Sequence, residues 1–139
     1  MKIVLDTDVI VAGLRSPTGA SAELLRRARS GSLTLLASVS LFIEYEAKCT
    51  MATHYEAAGL TVDEAHQFLN GLAALIQPVK THYLWRPQLR DPTDEMVLEA
   101  AVNGGVDALV SFNQRHFGTV PARFGIALLL PSEIIRRIK

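Results

Sequence analysis

The sequence predicts an α/β fold in which a parallel sheet is covered by helices on both faces. Two observations carry this. Short apolar runs recur along the chain at KIVLD (2–6), LTLLA (33–37), VDALVSF (106–112) and GIALLL (125–130), apolar almost throughout instead of alternating, as strands buried on both faces are. Between them lie segments with helical spacing and capping residues, and strands alternating with helices imply crossover connections and a parallel sheet.

Each element has its own signal. Residues 2–6 read as a buried strand ending in Asp6-Thr7-Asp8, two carboxylates one residue apart. Ser16-Pro17-Thr18-Gly19 is a turn, and Ala20–Ser30 follows as a helix closed by Gly31. Leu33–Ala37 is the second strand. Ser38 is the N-cap of a helix running to about Met51, with Glu44 placed to pair with Lys48 at i,i+4. Thr61-Val62-Asp63-Glu64 fits a capping box and opens a helix to about Leu75, followed by a short strand at Ile76–Val79. Asp91-Pro92 sets a capping acid before a proline at the first helical position, and Gly104-Gly105 ends that helix. Val106–Phe112 and Gly125–Leu130 are the last two strands. Pro131-Ser132 starts a C-terminal helix whose Arg136, Arg137 and Lys139 suit a helix C-terminus.

A length of 139 residues fits one domain, 1–139, and a 49% hydrophobic composition fits a packed core. No stretch reaches the ~18 uncharged apolar residues of a membrane span. Asp6 and Asp8 fall where the apolar region of a signal peptide would be. The single cysteine, Cys49, excludes an internal disulfide and fits a reducing cytoplasm. Fourteen basic residues balance fourteen acidic ones, so net charge neither calls for a nucleic-acid partner nor forbids one, since a metal at an acidic site supplies positive charge.

In parallel sheets the functional crevice lies beyond the carboxyl ends of the strands. Asp6 and Asp8 follow the first strand, Ser111–Asn113 follows the fourth, and the Asp91–Glu95 helix start feeds toward the same edge. Taken alone, Asp6 is a helix cap, a metal ligand or a nucleophile. Glu44 alone is a surface acid paired to Lys48. Asp91, Asp94 and Glu95, at i, i+3 and i+4, share a first helical turn where the dipole favours acids. Gathered at one edge, such carboxylates repel unless they share a cation. Mg²⁺ or Mn²⁺ suits an all-oxygen set, and such ions support in-line phosphodiester displacement. Zinc is not indicated, because His54, His66, His82 and His116 lack ligand spacing.

The blocks IVLDTDVIVAGL, ASVSLFIEYE, RDPTDEMVLEAAVNGGVDALVSFN and HF resemble, in order, those of PIN domains, most closely the toxins of bacterial toxin–antitoxin pairs (the VapC-like group). The resemblance covers essentially the whole chain. It implies a Rossmann-like three-layer α/β/α sandwich with a central parallel sheet of 4–5 strands. It also implies a Mg²⁺- or Mn²⁺-dependent ribonuclease acting on RNA, with a cognate antitoxin as partner and a homodimeric state. Asp6, Glu44 and Asp94 match the family's first three acids, the implied metal ligands. Ser111 matches its Ser/Thr position, and Asn113 falls where a fourth acid often stands. Asp8 replaces the usual Asn of the first block and, with Asp91, is a supporting candidate. Arg15, Arg90, Arg115 and His116 are candidate RNA contacts, and Phe117 is divided between stacking a base and packing in the core. Phe112 reads as core. Asp107, at the start of its strand, reads as structural. The helical region from about Ala47 to Leu75, or the C-terminal helix, is the expected antitoxin or dimer surface.

Two other readings remain. Asp6-Thr7-Asp8-Val9 also satisfies D-x-D-x-[TV], the opening signature of haloacid-dehalogenase phosphatases, with Asp6 as nucleophile and Lys80 as the central candidate for the activating lysine. The late Gly-Asp-x-x-x-Asp block of that family is missing. The other reading is a PIN fold without activity that binds RNA or protein.

Overall fold

The computed structural model describes residues 1–82 and 87–138, so Lys139 of the expected basic helix end lies outside the described residues. The elements in chain order are β1 (Lys2–Leu5), α1 (Thr7–Arg15), α2 (Ala20–Arg29), β2 (Thr34–Ala37), α3 (Val39–Cys49), α4 (Ala52–Tyr55), α5 (Val62–Leu75) and β3 (Ile76–Pro78). They continue with α6 (Pro92–Gly104), β4 (Ala108–Val110), α7 (Gln114–Phe117), α8 (Val120–Arg123), β5 (Ala127–Leu129) and α9 (Pro131–Arg137).

All pairings are parallel, and the sheet order is β3-β2-β1-β4-β5. The chain therefore starts at the centre, walks outward through β2 and β3, then returns past β1 to build β4 and β5. Right-handed crossovers put the helices of the first walk on one face and α6, which packs on β1, β2 and β4, on the other. Both faces are thus covered, which is why Ile3, Val4, Leu5, Ala108, Leu109 and Val110 are all buried. The order reverses between β1 and β4, and such a switch point opens a crevice at the strand ends.

Several local signals act as expected. Thr61 and Glu64 form a reciprocal capping box. Asp91 accepts from the Thr93 N–H at 2.8 Å, Pro92 occupies the first turn, and Gly105 closes α6 in the left-handed region at φ 58°. Val97, Leu98, Ala100 and Ala101 turn the core-facing side of α6 inward.

One element is added, one expectation changes and one open reading closes. Thr7–Arg15 is a helix separated from the last strand residue, Leu5, by Asp6 alone, which is its N-cap. The fourth strand ends at Val110, so Phe112 projects past it and is 48% exposed instead of joining the core. Phe117 is core, 1% exposed. Asp107 is structural as read: its carboxylate accepts the Lys2 N–H at 2.8 Å, tying the starts of two neighbouring strands. Cys49 is fully buried in apolar surroundings, which push its thiol up to about 12, far from a reactive thiolate.

Candidate active site

Strand register assembles the site. Leu5 is level with Val110, so the next residues, Asp6 and Ser111, leave the sheet side by side. Ser111 Oγ donates to Asp6 Oδ2 at 2.6 Å in a buried pair, while the Thr7 N–H donates to Asp6 Oδ1 at 2.7 Å. Asp6 is therefore a helix cap whose two oxygens both accept hydrogen bonds. The Phe112 N–H donates to Asp8 Oδ2 at 3.1 Å, so Asp8 clips the start of α1 to the loop after β4. Its other oxygen, Oδ1, is buried without a hydrogen-bond partner.

The second acid arrives by the neighbouring strand. Ser38 follows β2 at the same edge and caps α3 by accepting from the Leu41 N–H at 3.1 Å. One turn later the buried Tyr45 hydroxyl donates to the Leu5 carbonyl at the end of β1. That bond fixes α3 against β1 and places the adjacent Glu44 on the cavity wall. Glu44 also reaches Lys48, at 4.0 Å, the outer limit of an ion pair.

The acids opening α6 diverge. Asp94 is buried and faces the cavity, where its Oδ2 lies 3.1 Å from His116 Nδ1 on α7. Asp91 spends one oxygen on its cap and lines the same cavity. Glu95, expected on that face, turns away. It accepts from the backbone N–H groups of Gln88, at 3.1 Å, and Leu89, at 2.8 Å, and so pins the segment before α6.

The result is one open cleft of about 400 Å³ lined by Asp6, Asp8, Glu44, Asp94, Asn113 and His116, with Asp91 at its side. The Asn113 N–H donates to Ser111 Oγ at 2.9 Å, so Ser111 serves both the backbone and Asp6. Arg90 and Arg115 instead line a second, larger cleft that shares Asp91, Asp94 and His116 with the first. Arg15 lines neither. Lys48 and His54 are on the wall of the acidic cleft, although neither was a site candidate in the sequence. His54 sits on the one-turn α4, and its Nδ1 is buried without a partner. Lys80, the lysine of the phosphatase reading, is not part of the cleft.

The electrostatics are those of crowded acids. Burial raises the pKa of Asp6, against hydrogen bonds from Ser111 and Thr7 that pull it down. Burial and the Asp6 charge raise Asp8 to about 7. Burial, Asp6 and Asp91 raise Asp94. Among the described residues, no three His, Cys, Asp or Glu side chains converge closely enough to grip a metal unaided. The donors nevertheless fit a hard cation that keeps several of its waters: carboxylate oxygens from three elements face one cleft, their charges are mutually unfavourable, and Asp8 Oδ1 lacks a partner.

Comparison with known proteins places this geometry in context. A PIN domain family model matches residues 2–115. No curated protein shows significant similarity to the chain. Among solved structures, the chain is similar to one in the crystal structure of VapBC2 from Rickettsia felis bound to a DNA fragment from their promoter. The TM-score is 0.62 at 13% sequence identity, with 92% of this chain and 97% of that chain covered. At that identity the likeness speaks to the fold, a parallel sheet flanked by helices.

Proposed function

The chain belongs to the PIN domain family, and from that premise we propose that it is a metal-dependent endoribonuclease, a single domain over residues 1–139 acting as the toxin of a toxin–antitoxin pair. The observation that carries this reading is the meeting of Asp6, Glu44 and Asp94, from three separate elements, in one cleft at the switch point of the sheet.

Asp6, Glu44 and Asp94 would hold Mg²⁺ or Mn²⁺, with Asp8 able to add a fourth carboxylate. Bound there, such an ion lowers the pKa of a coordinated water and offsets charge on a phosphodiester. The chain's own groups prepare the acids. Ser111 fixes the Asp6 carboxylate by its 2.6 Å hydrogen bond, and the His116 imidazole orients Asp94 from 3.1 Å. The Phe112 N–H holds Asp8 in place, and Tyr45 holds the helix that carries Glu44. Asn113, at the cleft mouth, offers a neutral amide where a carboxylate would add charge. These outer hydrogen bonds matter because a ligand's orientation sets its affinity.

The same reading includes a cytoplasmic setting, a homodimer and a cognate antitoxin. The structural neighbour is itself a VapBC2 complex. No helix among the described residues is long and apolar enough to cross a membrane. An apolar groove lined by Val39, Phe42, Ile43, Ala73, Ile76 and Pro78, with Val39 73% exposed, offers a protein surface. It begins on α3, upstream of the 47–75 region.

The deciding experiment incubates purified protein with a mixed single-stranded RNA pool in Mg²⁺, Mn²⁺ or EDTA, beside Asp6→Asn and Asp94→Asn and a chromogenic phosphate monoester. Metal-dependent cutting lost in both variants is the expected outcome. Monoester turnover with intact RNA would move the assignment to a phosphatase, and silence on both substrates to a binding module.

A further inference from the structure

We propose that the larger cleft beside the acids is a nucleotide subsite that grips RNA phosphates flanking the scissile bond through Arg90 and Arg115. The proposal rests on the nuclease reading and names where the substrate strand lies.

Four observations lead to it. The cleft, about 700 Å³, is of the size that holds a small ligand. It shares Asp91, Asp94 and His116 with the acidic cleft, so a strand leaving the acids by this side passes His116 and enters it without a break. Arg90 and Arg115 both line it, and neither has an ion-pair partner among the described residues, in contrast to Arg26 and Arg27, which are held by Glu23. A guanidinium left unpaired in a concave site suits the bidentate geometry of phosphate.

The fourth observation is that the fold invests buried groups in placing both arginines. Phe117, 1% exposed, anchors the one-turn α7 in the core, which leaves Arg115 and His116 on its outer side. Across the cleft, the buried Glu95 carboxylate spends both oxygens on the N–H groups of Gln88 and Leu89, fixing the backbone that leads into Arg90. A charged group buried only to hold a loop is costly, and the loop it holds is one wall of this cleft. Acids at one end and arginines at the other give the combined groove a polarity: cation at the reacting phosphate, guanidinium at its neighbours. Arg15 lies outside both cavities and has no part in this track.

The test measures single-stranded RNA binding by fluorescence anisotropy over a salt series, in an Asp6→Asn background that separates binding from cutting. Wild-type cleavage of the same RNA is followed independently. In that background Arg90→Ala with Arg115→Ala should weaken binding at least 10-fold. It should also flatten the plot of log affinity against log salt by about 1.4, at about 0.7 per lost phosphate contact. Arg15→Ala should leave both quantities unchanged. All three side chains are exposed, and circular dichroism verifies that the fold is kept. An unchanged salt slope in the double variant would overturn the subsite while wild-type cutting kept the nuclease reading intact. Equal losses in Arg15→Ala would reduce the effect to general charge and overturn it too. Absence of binding in the Asp6→Asn parent would likewise remove the subsite, and wild-type cleavage would decide separately whether the nuclease reading survived.

Discussion

Ser111 and Asp6, 105 residues apart in the chain, leave adjacent strands at the same level and share a buried hydrogen bond of 2.6 Å. The bond joins the two sides of the switch point, and it is the main interaction opposing the rise of the Asp6 pKa. Ser111→Ala removes the donor and leaves a buried carboxylate oxygen unsatisfied. Stability should fall by about 1–3 kcal/mol in urea unfolding. Divalent-ion affinity, measured by calorimetry, should fall about 10-fold or more, as when a ligand's outer support is lost. Full retention of both would show that Asp6 is held by Thr7 alone.

Asp8 provides a pH signature. Its carboxyl is raised from 3.8 to about 7, so the folded chain binds this proton more tightly than the unfolded chain does. The resulting stability is complete below about pH 4 and is lost as pH rises through about 7. Asp6 and Asp94 act in the same direction. The displacement corresponds to about 4 kcal/mol at full burial, and the partly exposed Asp8 keeps about half of it. In EDTA the melting temperature should therefore drop by several degrees from pH 5 to pH 8. Asp8→Asn should flatten that drop, and Mg²⁺ or Mn²⁺ should restore wild-type stability at pH 8. A slope identical in wild type and Asp8→Asn would sink the assignment.

What the sequence made legible depended on punctuation. Asp91-Pro92 and Gly105 bracket α6, and Thr61 with Glu64 opens α5, because caps and turn residues are local chemistry. The helix α1 has no clear signal in the sequence, because it starts on the residue after Asp6 and its β-branched Val9, Ile10 and Val11 favour a helix only weakly. The single-turn helices α4 and α7 are too short to show a period, yet they bring His54 and His116 to the acids. Asp6 and Asp94 are legible because each borders a recognisable strand end or cap, whereas Glu44, in the middle of α3, stands out only through the resemblance to PIN domains. The division of labour between Asp94 and Glu95 is not legible. Helical spacing gives them neighbouring directions, and only the path of residues 88–90 turns Glu95 away.

Gly105 isolates a purely conformational contribution. It closes α6 at φ 58° and ψ 42°, and a Cβ there would meet nothing within 4 Å. Gly105→Ala should therefore cost only the left-handed backbone strain, about 1–2 kcal/mol. A melt would register this as a shift of a few degrees. RNA cleavage below the melt should be unchanged, since the residue lies at the end of α6 opposite Asp94. A larger loss would mean that α6 moves when its cap is strained.

Glu95 is the sharper case, because its carboxylate links fold stability to the substrate cleft. It receives the N–H groups of Gln88 and Leu89 while its neighbour Asp94 faces the acids. Glu95→Gln keeps the size and one acceptor oxygen but exchanges charge-assisted bonds for weaker ones and introduces an amide that must find its own partner. Stability should fall by about 1–3 kcal/mol. Because the lost bonds hold the backbone beside Arg90, RNA affinity should fall in parallel, while divalent-ion affinity, set by Asp6, Glu44 and Asp94, should stay near wild type. Titrating metal and RNA separately into the same variant checks this. If metal affinity falls while RNA binding is kept, Glu95 acts through Asp94 and not through the loop.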